Sequence, residues 1–166
     1  MNELRVYFDG GGNGEYGYYV FTVLDSEELP VKKWVSKWTG PSTNNQMEYV
    51  ALIAALKAIR DRGKDPDLEK VTFIGDSQLV INQVIGQYAV RDEALKQLYI
   101  LVGHIEEDIH VKHGPIVFYQ WVPREQNKMG QILEKDKKQG HPNHQSPGKE
   151  LVQCPHCQKW YPKNWG

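Results

Sequence analysis

The apolar positions of this chain change period several times, and each change marks a new element. Residues 4–9 (LRVYFD) alternate loosely and are rich in strand formers; they predict a strand that breaks at Gly10-Gly11-Gly12-Asn13-Gly14, with Asp9 at its end. Residues 16–24 and 31–38 continue as aromatic and β-branched runs separated by the turn-rich stretch 25–30, the pattern of an antiparallel meander. The period then lengthens. Thr43 and Gln46 have the spacing of a capping box, and Ala51, Leu52, Ala54, Ala55, Leu56 and Ala58 are good helix formers. Counting from Glu48 by helical spacing gives Leu52, Ala55 and Ile59, so a carboxylate extends a stripe that otherwise packs into a core.

Beyond a loop at 61–67, the apolar run 70–75 predicts a short buried strand compatible with parallel pairing, with Asp76 at its C-terminal end. Leu79, Val80, Gln83 and Val84 recur at helical spacing. A second helical pattern runs from 92 to about 108 through Leu95, Leu98, Leu101, Val102 and Ile105, and residues 116–122 form the last strand candidate. Met129, Ile132 and Leu133 predict a final helix starting at Asn127, followed by a polar, proline-containing linker. The order βββαβα(α)βα predicts an α/β fold, a five-stranded mixed sheet with helices on its faces, because parallel neighbours need helical crossovers.

At 166 residues, with 40% hydrophobic and 25% charged content, the chain can build one large domain with a small appendage. The net charge of −1 gives no global basic field, so a nucleic-acid partner must be held by local groups. No apolar run approaches the roughly 18 residues of a membrane span, and the N-terminus lacks signal-peptide features. A cytoplasmic monomer without membrane contact is the expectation. Cys154 and Cys157 form a single Cys-x-x-Cys, which in a reducing compartment suggests a metal or a redox pair rather than a structural disulfide.

Three acids stand out. In an open sheet of this kind, ligands collect outside the C-terminal strand ends, where Asp9 and Asp76 are expected, and a first helix crossing behind brings Glu48 to the same spot. Carboxylates that close cannot all stay ionised without cations, and Mg2+ or Mn2+ is the natural occupant. Two such ions would clamp the attacking and leaving oxygens of a phosphodiester. Each acid also has an ordinary alternative: Asp9 as a turn residue, Asp76 as the cap of the following helix, and Glu48 as a wet residue in a first helical turn.

The segments VYFDGG at 6–11, TNNQMEYVALI at 43–53 and GDSQLV at 75–80 resemble the three core motifs of type 1 ribonucleases H. WVPREQNK at 121–128 is similar to the segment preceding that family's last catalytic helix. The resemblance implies a ribonuclease H-like domain and a metal-dependent endonuclease that hydrolyses the RNA strand of RNA/DNA hybrids, leaving a 5′-phosphate. It further implies that Asp9, Glu48 and Asp76 are catalytic ligands of two Mg2+ or Mn2+ ions. Gly10, Gly11, Asn44, Asn45 and Gln46 match substrate-binding positions, the last three at the minor groove, where amides can donate to and accept from a 2′-hydroxyl. Helix capping is the ordinary role for Asn44 and Asn45.

Two departures matter. The family's fourth catalytic carboxylate, on its last helix, falls on Gln131 here, which leaves three readings: an enzyme that tolerates Gln131, rescue by Glu134, or a nucleic-acid-binding module with weakened cleavage. Arg124 and Glu125 occupy the segment where many members carry a flexible histidine loop, which resembles the histidine-lacking branch.

The boundaries expected are 1–138 for the ribonuclease H-like domain, 139–150 for a linker and 151–166 for a tail. In the tail, Cys154 and Cys157 together with His141 and His144 supply four ligands for a structural Zn2+ in a zinc-knuckle-like arrangement, with a disordered tail as the alternative. A folded tail would offer Trp160, Tyr161 and Trp165 to bases or to a protein partner.

Overall fold

The computed structural model describes residues 3–12, 16–25, 30–39, 43–127, 151–153 and 160–162. A meander of β1 (Glu3–Gly12), β2 (Tyr16–Leu24) and β3 (Pro30–Thr39) precedes helix α1 (Asn44–Arg60). Then come β4 (Lys70–Gly75), α2 (Gln78–Val84), α3 (Glu93–His113) and β5 (Val117–Trp121), followed by a 3-10 turn at Arg124–Gln126. The five strands form one sheet in the order β3-β2-β1-β4-β5. β1 pairs antiparallel with β2 and parallel with β4, so it divides an antiparallel half from a parallel half. The expected mixed five-stranded sheet is what forms.

Each helix starts where a side chain can satisfy its free N–H groups. Thr43 and Gln46 form the reciprocal capping box of α1. The Ser77 hydroxyl accepts from Val80 N–H at 3.2 Å to cap α2, and Asp92 accepts from Leu95 N–H at 2.9 Å to cap α3. Asp76 is therefore not the cap of the following helix. Helix α3 continues past the expected stop near residue 108, because Ile109 extends its buried stripe, and it ends at Gly114, at φ +93°.

Helix α1 is buried almost all round. Residues 47–56 and Ile59 lie in the core, with β1 and β2 on one side and α3 on the other. The Glu48, Leu52, Ala55 and Ile59 stripe is buried as its spacing implied.

The expected end of β1 at Asp9 needs correction. Gly10, Gly11 and Gly12 stay in the strand, paired with Tyr19, Tyr18 and Gly17, while the parallel pairing with β4 stops at Tyr7 and Ile74. Asp9 thus lies past the end of the parallel ladder but inside the antiparallel one. Glycine is required at position 10 by the helix: a Cβ there would sit 2.1 Å from the carbonyl oxygen of Met47. Among the described residues, no helix is long and apolar enough to cross a membrane.

In the tail, β6 (Leu151–Gln153) and β7 (Trp160–Pro162) form a two-stranded antiparallel sheet, pairing Gln153 with Trp160 across the stretch that contains Cys154 and Cys157. The two cysteines, His141, His144, Trp165, Gln131, Glu134 and the expected helix after Asn127 lie outside the described residues.

Two glycine substitutions should move stability in opposite directions. Gly10→Ala must push β1 away from α1 and is expected to cost roughly 3 kcal/mol, an overpacking effect at a rigid backbone contact. Gly103→Ala, on the exposed face of α3 with open space around it, should stabilise by about 1 kcal/mol through helix propensity. Urea denaturation of both variants checks the pair.

Candidate active site

Three elements bring the acids together. Asp9 comes from β1, Glu48 from the second turn of α1 and Asp76 from the residue after β4, and one carboxylate oxygen of each lies within 4.8 Å of the others. Asp9 is fully buried, and Glu48 is 7% exposed. The glycine contact that lets α1 approach β1 also fixes Glu48, whose Oε1 accepts from Gly10 N–H at 2.9 Å. One turn earlier on the same junction, Asn44 Oδ1 accepts from Gly12 N–H at 2.8 Å. Gln46 is committed to the capping box, while Asn45 is exposed.

The segment after β5 closes the site from the other side. Arg124 Nη1 donates to Asp9 Oδ2 at 2.8 Å and to Asp76 Oδ2 at 3.1 Å. Asn127 Nδ2 donates to Asp76 Oδ2 at 3.1 Å and to the carbonyl oxygen of Phe8 at 2.9 Å, tying the chain after β5 to β1 and to the acid after β4. Trp121 Nε1 donates to the Asp76 carbonyl at 3.0 Å and so fixes the backbone that presents that acid. The sequence places Trp121, Arg124 and Asn127 in the segment that resembles the one before the family's last helix, but gives none of the three a contact with the acids. The partners of Asn127 are set by topology, since Phe8 lies in β1 and Asp76 follows β4.

The electrostatics are unbalanced. Three carboxylates against one guanidinium leave a formal charge of −2 in a largely buried place. Burial, then Asp76, raises the Asp9 carboxyl from its ordinary 3.8 to about 6, against the pull of Arg124. Burial, then Asp9 and Asp76, pushes Glu48 well above the usual carboxylate range, and Gly10 N–H only partly offsets this. Glu48 and Asp9 face each other and can hydrogen-bond only when one carries a proton. Asp9 Oδ1 is buried, and among the described residues no backbone N–H or basic side chain donates to it. A buried oxygen without such a donor, beside two other acids, fits a hard divalent cation, which takes oxygen ligands and supplies the missing positive charge.

A family model described as RNase H matches residues 1–128. The chain is 41% identical over 95 residues to ribonuclease HI of Halobacterium salinarum, covering 57% of this chain and 46% of that protein. The crystal structure of RNase H1 from the same halophilic archaeon superposes with a TM-score of 0.70 at 26% identity, over 84% of this chain and 99% of that one. LC11-RNase H1 in complex with an RNA/DNA hybrid gives a TM-score of 0.68 at 26% identity, over 78% of this chain and 92% of that one. The chain spans less than half the length of the relatives it matches in sequence, 46% of the archaeal protein and 33% of the bifunctional protein Rv2228c of Mycobacterium tuberculosis.

The raised Asp9 carboxyl has a stability consequence. Between pH 3.8 and about 6 the folded protein holds a proton there that the unfolded chain has released, so this group destabilises the fold progressively as pH rises through that window. In metal-free buffer at pH 7.5, Asp9→Asn should therefore melt higher than the wild type, by roughly 2 kcal/mol of stability. The gap should close as the pH falls from 6 towards 4, and thermal denaturation of both proteins across that range checks it.

Proposed function

The chain belongs to the RNase H family, and from that premise we propose that it is a divalent-metal-dependent endonuclease hydrolysing the RNA strand of RNA/DNA hybrids. The family is divalent-metal dependent, and the observation that carries the reading is the buried cluster of Asp9, Glu48 and Asp76, whose Asp9 Oδ1 meets no backbone N–H or basic side chain among the described residues. Asp9, Glu48 and Asp76 would hold the Mg2+ or Mn2+ ions. A bound divalent ion supplies Lewis-acid stabilisation of the charge that develops on the phosphodiester oxygens.

The remaining work falls to the chain itself. Glu48, held by Gly10 N–H, helps to position the attacking water. Asn127 and Trp121 keep Asp76 in place through its carboxylate and its carbonyl. Asn44, Asn45 and Gln46 face the minor groove of the hybrid, where a 2′-hydroxyl distinguishes RNA from DNA. The amide of Asn44 is oriented for this by its bond to Gly12 N–H of β1, while Thr43 and not Asn44 caps the helix.

Gln131, at the family's fourth acidic position, keeps an oxygen but no charge; it is the reason for a second reading, a hybrid-binding module with weakened cleavage. The tail is proposed to fold around Zn2+ through Cys154, Cys157, His141 and His144 and to add nucleic-acid or protein contacts. One Zn2+ per chain, lost in Cys154→Ser, is expected from elemental analysis.

Cleavage of an end-labelled RNA/DNA hybrid with Mg2+ or Mn2+ tests the main reading. The RNA strand alone should be cut, leaving 5′-phosphates, and Asp9→Asn should lower the rate on the order of a thousandfold, as expected when a group stabilising transition-state charge is lost. Equal hybrid binding by both proteins with cleavage by neither would favour the binding module.

A further inference from the structure

We propose that the outer edge of β5, beside α3, is a docking site for an extended segment of a partner protein that carries lysine or arginine. The site is separate from the acidic cluster and does not depend on how that cluster is read.

The backbone of β5 is half unpaired. The strand ends the five-stranded sheet next to β4. Val71 N–H donates to the Ile116 carbonyl at 2.7 Å and Val122 N–H to the Gly75 carbonyl at 3.0 Å, so residues 116, 118, 120 and 122 turn their polar backbone groups towards β4. Val117, Tyr119 and Trp121 therefore turn theirs outward, and among the described residues no strand pairs with them. Such a row is a template for an added strand. The two edges of the sheet also differ. β3 begins at Pro30 and carries Lys32, Lys33 and Lys37, residues of the kind that guard an edge, whereas Val117–Trp121 contains neither proline nor charge.

A groove of about 360 Å³ runs along this edge between α3 and the start of β5. Gly103, Glu106, Glu107 and His110 form its helical wall, and Phe118 lines it from the strand. At Gly103 the wall is open, since a Cβ there would meet nothing within 4 Å. The Tyr119 hydroxyl donates to Glu106 and holds that carboxylate at the wall, with Glu107 exposed beside it. Alternate side chains of an added strand would point at this wall, and two carboxylates there favour a cationic one through charge-assisted hydrogen bonds. The same charge argues against a second copy of this chain, because β5–β5 pairing about a two-fold axis would set two pairs of carboxylates along one seam. The groove lies at the N-terminal half of β5, whereas Asp76 follows the C-terminal end of the parallel strand β4. A partner strand seated there leaves the acids accessible.

Titration of the full chain with the acetylated peptide Thr-Lys-Val-Lys-Val-Lys-Thr, followed by NMR, tests this. The backbone amides of Val117, Tyr119 and Trp121 should shift and exchange more slowly with solvent. The lysine peptide should bind on the order of tenfold more tightly than its counterpart with glutamate at the three lysine positions, and Glu107→Lys, at an exposed position, should remove that preference. N-methylation of alternate peptide amides should abolish binding, because the added strand then loses its donors. Shifts centred on Asp9 and Asp76 would reduce the effect to attraction by the acidic cluster and overturn the proposal. Self-association of the chain through β5, read by sedimentation, would make a second copy the occupant and overturn it equally, as would the absence of peptide binding.

Discussion

The close approach of β1 to α1 at Gly10 is the constraint on which the acidic site depends. A side chain at position 10 would collide with the backbone of the helix, and its absence lets one N–H reach the Glu48 carboxylate. The contact sets the depth of α1 against the sheet, and so the depth of the acid that the helix carries. Everything else at the site is built outward from that junction: the Asn44 bond to Gly12 one turn earlier, the buried Asp9 oxygen beside it, and the arginine that reaches in from the far strand.

This arrangement opposes stability locally. Burial raises the proton affinity of two of the three acids, and a single guanidinium does not neutralise them. The surrounding structure holds them in place by hydrogen bonds to their backbones and to one another's supports rather than by charge balance. Trp121 grips the Asp76 carbonyl, and Asn127 bridges the Asp76 carboxylate and the Phe8 carbonyl. A largely apolar core around α1 supplies the stability against which such a site can be maintained.

Local features were readable in the sequence. The capping box at Thr43 and Gln46, the helical stripe through Glu48 and the strand end just before Asp76 depend on neighbours within a few positions, and the structure keeps them. Pairing features were less readable. The glycines after Asp9 carry the usual signal of a break, yet they remain in β1 because β2 pairs with them and α1 needs their lack of bulk. Contacts between Arg124 and Asp9, 115 positions apart, follow from β5 lying beside β4, which no local pattern specifies. The three acids could be placed together beforehand only because the strand order suggested where ligands gather and because the motifs resembled a known family.

The position of β1 between the two halves of the sheet also bears on the order in which the chain assembles. The meander and the antiparallel side of β1 close over short loops, whereas the β1–β4 and β4–β5 pairs must wait for their helical crossovers. All three acids have been synthesised by residue 76, but the arginine that restrains them is not added until residue 124. During that interval the acids lack their internal cation, so their convergence is opposed until β5 docks. A divalent ion captured early would remove that opposition and make the metal a folding aid as well as a reagent.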